Sequence, residues 1–266
     1  MENVILFDNE IREKLLPLTF TRPVGEIRVG ILTIREKWER WLNAQQISFI
    51  TQDYLAEKYP IKIAEDNYVV NGSALPSEPL CRLISQLEAN EALLRGDELI
   101  AARLNKRQFQ ALINDEEIEE LAGFDIEDTP FLKIDHLTDI FSINAAAIQE
   151  DFALLTAKRT SQTLSASNRV IGDPQQIFIE EGASVEGASL NVQQGPIYIG
   201  RDAEIMEGSL IRGPLALCEK AKLKMGSKVY GGTTIGPHSK IGGEVNNIVV
   251  LGYSSKSHEG FLGNSV

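Results

Sequence analysis

The chain holds two cysteines, two tryptophans, three methionines and three histidines in 266 residues. Cys81 and Cys218 cannot form the multi-bridge framework of a small secreted domain, so both are read as reduced thiols of a cytoplasmic protein. His136, His238 and His258 lie too far apart in sequence to suggest a metal-ligand spacing. No apolar run reaches the roughly 18 residues that a membrane-spanning helix needs. The N-terminus also lacks a basic segment followed by an apolar stretch, so neither membrane insertion nor secretion is indicated. Positive charge is scarce as well. Twenty-six lysines and arginines face 38 acids, for a net charge of −12. That balance argues against nucleic acid or an anionic membrane as partner, while leaving room for a local basic pocket around a phosphate.

What the chain does have is a period. Ile199, Ile205, Ile211, Leu217, Leu223, Val229, Ile235 and Ile241 follow one another at every sixth position. Neither a helix of period 3.6 nor a strand of period 2 explains this. A parallel β-helix does, because each short strand turns one aliphatic residue inward before the chain bends. Four residues after most of these positions stands a small side chain: Ala203, Ser209, Ala221, Ser227, Thr233 and Ser239, with Leu215 the exception. Gly200, Gly236 and Gly242 directly follow an aliphatic position and are expected at corners of positive φ. Earlier turns, around Ile171, Ile177, Ile179 and Val185, are less regular. Three hexads per coil give about five coils between Val170 and Val266. The chain ends inside a plausible coil with no polar cap after it, so a C-terminally truncated solenoid is expected.

The first part, residues 1–160, reads as an α/β domain, and residues 161–266 as the β-helix. Val4–Phe7, Ser48–Thr51, Asp66–Val70 and Glu98–Arg103 are expected strands. Helices are expected over 33–45 (with Ile31, Ile34, Trp38, Trp41 and Leu42 on one face), Leu80–Leu94 and Ile148–Ala157. The alternation favours a mostly parallel sheet with helices on both faces. Asn71-Gly72 is a strong turn signal that could also shape a ligand pocket. Arg22 and Arg28 flank a polar stretch after the first strand. The guanidinium fork suits phosphate oxygens, and in so acidic a chain salt bridges are the competing explanation.

Three stretches carry a family resemblance: LLPLTFTRPVGEIRVGILTIREKW (15–38), DNYVVNGSALP (66–76) and EVNNIVVLGYSSKSHEGFLG (244–263). Together with the hexads they resemble bacterial enzymes that join a sugar nucleotidyltransferase domain to a left-handed β-helix acetyltransferase. More narrowly, the chain is similar to the GlmU-related family described as UDP-N-acetylglucosamine diphosphorylase/glucosamine-1-phosphate N-acetyltransferase. The resemblance implies a homotrimer, a sugar 1-phosphate, a nucleoside triphosphate or sugar nucleotide, acetyl-CoA as co-substrate, and Mg2+ in the first domain.

Residue by residue, the resemblance places His258 at the family's general base, Glu244 at an acid near the acceptor sugar, and Lys256 and Asn247 at matching substrate-side positions. Asn246 stands where the family has an acceptor-contacting lysine, and Phe261 where it has a tyrosine. The usual glycine-rich GxGTR loop is missing: the first strand runs instead into Asp8-Asn9-Glu10. Arg22 and Arg28 are therefore the candidate phosphate clamp, Asn71 and Gly72 candidate pocket residues, and Asp8 the candidate metal ligand. The competing reading is a non-catalytic protein that binds a sugar nucleotide and assembles through its β-helix.

Overall fold

A computed structural model of the chain describes residues 1–113 and 121–266. They form two compact units. The first comprises Met1–Ile27 and Thr33–His136, the second Arg28–Leu32 and Leu137–Val266. Among the described residues no helix is long and apolar enough to cross a membrane.

The first unit is built on a six-stranded sheet: β1 (Asn3–Phe7), β2 (Gln46–Ile50), β3 (Asp66–Asn71), β4 (Glu91–Arg95), β5 (Glu98–Asn105) and β6 (Ala122–Asp125), in the order β2-β1-β3-β5-β4-β6. β1 pairs in parallel with both β2 and β3. β5 runs antiparallel to β3 and to β4, while β4 and β6 pair in parallel, so five of the six strands share one direction and the sheet is mostly parallel, as expected, with β5 the single reversed strand. Among the described residues four α-helices belong to this unit: α1 (Ile11–Lys14), α2 (Ile34–Trp41), α3 (Glu78–Gln86) and α4 (Lys106–Ile113). Thr33 and Glu36 form a reciprocal cap that starts α2, and the Trp38 ring, fully buried, donates its indole N–H to the Ala74 carbonyl at 2.9 Å.

The helix expected over Leu80–Leu94 stops at Gln86. Glu91–Arg95 instead turns through Gly96, at φ +58°, and pairs with β5. Its 3.6-residue spacing was broken by a hairpin whose strand buries Ala92 and Leu93, so tertiary pairing overrode local periodicity. Ile31, placed on the α2 face by spacing, belongs to the second unit.

The second unit is a parallel β-helix. One face stacks Ile177–Ile179, Ile197–Ile199, Leu215–Leu217, Thr233–Ile235 and Val249–Val250 in register. A second stacks Arg169–Ile171, Ser189–Asn191, Leu210–Arg212, Lys228–Val229, Glu244–Val245 and Phe261–Leu262. The third stacks Ser184–Val185, Glu204–Ile205, Lys222–Leu223, Lys240–Ile241 and Ser255–Lys256. All eight hexad residues are buried in one core cluster, and the six small residues are buried beside them. The glycines differ from expectation. Gly200, Gly236 and Gly242 do not have positive φ. The left-handed corner falls two residues after the first two, at Asp202 and His238, and one residue after Gly242, at Gly243. Gly236 is needed for proximity: a Cβ there would meet the Leu251 carbonyl oxygen at 2.3 Å.

The first coil is capped by side chains. Ser161 accepts from Ile179 N–H at 2.9 Å, while Asn168 donates to the Val185 carbonyl at 2.7 Å and accepts from Ala188 N–H at 2.9 Å. Two helices, α5 (Leu137–Ser142) and α6 (Asn144–Thr156), complete the unit. Ile148, Phe152 and Leu155 of α6 cover the outward residues Phe178, Tyr198 and Ala216 of the first face. The strap Arg28–Leu32 adds Ile31 and Leu32 to that cluster. Asn144 accepts from Gly30 N–H at 2.7 Å and donates to the Gly232 carbonyl at 2.7 Å. The Asp151 carboxylate accepts from Ile31 N–H at 2.7 Å and Leu32 N–H at 3.1 Å, and Thr234 donates to the Gly30 carbonyl at 2.9 Å. Gly30 has φ +83°, and a Cβ on it would lie 2.5 Å from the Asp151 carboxylate.

Candidate active site

The order β2-β1-β3 makes the chain reverse its direction of travel at β1 and β3. A crevice outside the carboxyl ends of such strands is where open α/β sheets bind ligands. Asp8 sits there. Its Oδ1 accepts from Val24 N–H at 2.8 Å and its Oδ2 from the Thr51 hydroxyl at 2.6 Å. One carboxylate therefore ties the ends of β1 and β2 to the far end of the loop that leaves β1. Burial, opposed by the Thr51 and Val24 hydrogen bonds and by Arg12, leaves the Asp8 carboxyl above its usual range. Gly25 and Gly72 close the bottom of this loop. A Cβ on Gly72 would meet the Phe7 carbonyl at 3.0 Å, and one on Gly25 would meet the Leu6 side chain at 2.8 Å.

Arg22 lies in this loop, with its Nε buried and without a hydrogen-bond partner; among the described residues it makes no ion pair. Arg12, in α1, was not singled out from sequence. It is 6 % exposed, donates from Nη2 to the Thr19 carbonyl at 2.7 Å and to the Tyr54 hydroxyl, and keeps a buried Nε without a hydrogen bond. A four-residue helix leaves no periodic signal, and what buries Arg12 arrives from Thr19 and Tyr54, so local sequence gave no sign of it.

Asn71 is a buried turn residue whose hydrogen bonds are all spent within the protein. Its amide N–H donates to Glu98 at 3.0 Å and its oxygen accepts from Ser73 N–H at 3.0 Å. Glu98 also accepts from Asn9 at 3.0 Å and pairs with Lys133 at 2.9 Å, while Lys133 contacts Asp135 as well. This cluster braces the β1, β3 and β5 ends of the same edge.

Asp8 is a poor metal ligand as it stands. Its side chain is 4 % exposed and both oxygens already accept hydrogen bonds. Among the described residues no group of three or more His, Cys, Asp or Glu side chains is placed to hold a metal ion.

The remaining predicted residues belong to the second unit. Arg28 lies in the strap and donates to the Ile31 carbonyl. Glu244 and Phe261 are in register on neighbouring rungs, as are Asn246 and Gly263. Asn247, at φ +52°, donates to Asn264 at 2.9 Å. Lys256 takes the rung position below Ile241. Its ammonium donates to the carbonyls of Gly242 (2.6 Å), His258 (3.1 Å) and Gly260 (2.8 Å), which uses all three of its protons. His258 is exposed at the turn that follows.

The carboxyl ends of parallel strands, a loop pinned across them by a carboxylate, and in that loop an arginine that makes no ion pair among the described residues suit an α/β enzyme that handles phosphate. The chain belongs to the sugar nucleotidyl transferase family, whose family model matches residues 4–160, more than half of its length. Among curated proteins, none matches the chain.

Proposed function

We propose that the first unit transfers a nucleotidyl group from UTP to N-acetylglucosamine 1-phosphate. A phosphate oxygen of the sugar attacks the α-phosphorus, the bond from that phosphorus to the bridging oxygen breaks, and pyrophosphate leaves with the electron pair. Such transfer needs positioning and electrostatic stabilisation more than covalent help from the protein. Arg22 is the single observation that carries the reading. A guanidinium with no anionic partner among the described residues, in a chain of net charge −12, stands in the loop after β1. Asp8 keeps that loop closed on the strand ends by holding Val24. The choice of uridine and N-acetylglucosamine rests on the resemblance of residues 15–38 and 66–76. His258 of the second unit carries no part of the reaction proposed here.

Pyrophosphate release from UTP and N-acetylglucosamine 1-phosphate, with magnesium present, tests this. Arg22→Gln is expected to lower kcat/KM by about 30-fold, corresponding to about 2 kcal/mol of transition-state stabilisation. Tight sugar-nucleotide binding by a parent protein that never turns over would favour the non-catalytic alternative instead.

A further inference from the structure

Arg12 presents an unusual electrostatic balance. Its guanidinium is almost wholly buried, yet the carboxylate closest to it, Asp8, approaches only to 3.7 Å and spends both oxygens on Val24 and Thr51. The remaining partners of Arg12 are neutral: the Thr19 carbonyl and the Tyr54 hydroxyl, with the Tyr54 ring centroid 5.7 Å from the guanidinium. Burying a charge whose counter-charge is not hydrogen-bonded to it is unfavourable, and Nε has no hydrogen bond at all. Thr19 in turn donates to the Arg12 carbonyl at 2.8 Å, which fixes the backbone that carries the arginine. Tyr54 is different. It is 60 % exposed, on a short turn after β2, and reaches the buried cation from outside. Such a side chain can swing away without opening the core.

We propose that Arg12 is the inner diphosphate contact of this loop and that the Tyr54 hydroxyl holds the place of a phosphate oxygen until the ligand displaces it. The ligand class is a diphosphate, either the β,γ end of a nucleoside triphosphate or free pyrophosphate. The inference rests on nucleotidyl transfer being the reaction of this site. Arg12 then binds the leaving group, with Arg22 the more exposed of the two arginines.

Calorimetric titration of the full chain with pyrophosphate, UTP and N-acetylglucosamine 1-phosphate tests it. Arg12→Lys keeps the charge and loses the planar fork. It is expected to weaken pyrophosphate and UTP about tenfold while leaving the sugar phosphate unchanged. Tyr54→Phe keeps the ring and removes the competing hydroxyl, and is expected to tighten pyrophosphate about threefold. Because Tyr54 is at the surface, that variant decides the matter if Arg12→Lys fails to fold. Unchanged pyrophosphate affinity in Arg12→Lys, or unchanged or weaker affinity in Tyr54→Phe, would overturn the assignment, as would a parent that binds no pyrophosphate at about 1 mM. Arg12-dependent pyrophosphate binding in a parent without UTP turnover would sink the nucleotidyl-transfer reading and leave the diphosphate site standing.

Discussion

Two carboxylates respond to acid in opposite directions. Asp8 is raised above 3.8 chiefly by burial, so the folded protein gains a proton more readily than the unfolded chain. Its ionised form therefore lowers stability at neutral pH, and that loss is relieved as pH falls through the folded value towards 3.8. Glu180 is also desolvated, but the Arg159 fork at 2.8 and 2.6 Å and the Tyr198 hydroxyl at 2.7 Å outweigh burial and hold it below 4.5. Its contribution is present above 4.5 and disappears as pH falls through the lower, folded value. Urea unfolding between pH 3 and 7 is expected to show a stability difference, Asp8→Asn minus parent, that rises with pH. Glu180→Gln is expected to lose about 1–3 kcal/mol at neutral pH, with the loss shrinking in acid. Asp8 was legible from its place after a strand, but its hydrogen bonds to Val24 and Thr51 were not. Whether a carboxylate faces a metal or a backbone N–H depends on where Val24 and Thr51 fold.

At the scale of elements, the hexad was legible because it is a packing rule written along the chain. Ile199, Leu217 and Ile235 stack directly on one another, and each must be aliphatic for its neighbours' sake. The Leu80–Leu94 segment was misread because its second half is stabilised by β5, a partner that local spacing does not reveal. The corner glycines were found in the right hexads for the wrong reason. Gly236→Ala is thus expected to lose about 3 kcal/mol through a backbone clash rather than through dihedral strain. His238→Gly, two residues on at φ +57°, should be neutral or stabilising by thermal melting, which separates the two explanations. A Gly236→Ala variant as stable as the parent would refute the close-approach account.

At the scale of the whole molecule, the strap Arg28–Leu32 is the feature that sequence concealed most completely, since the residues that hold it stand 114 to 204 positions away. Asp151→Ala removes the acceptor of two buried N–H groups and is expected to lower stability by about 2–4 kcal/mol. Hydrogen exchange should accelerate at Ile31 and Leu32 well before the coils themselves open. Normal protection at those two amides would show that Asp151 is dispensable to the strap. The strap also gives the protein a timetable. Ribosomes add about 5–20 residues per second, so the 204 residues separating Gly30 from Thr234 take roughly 10–40 s to synthesise. Throughout that interval Ile31 and Leu32 have been made but their full set of partners has not. The nascent chain must carry this short apolar segment unpaired past the completion of the first sheet, a window in which a chaperone has something to hold.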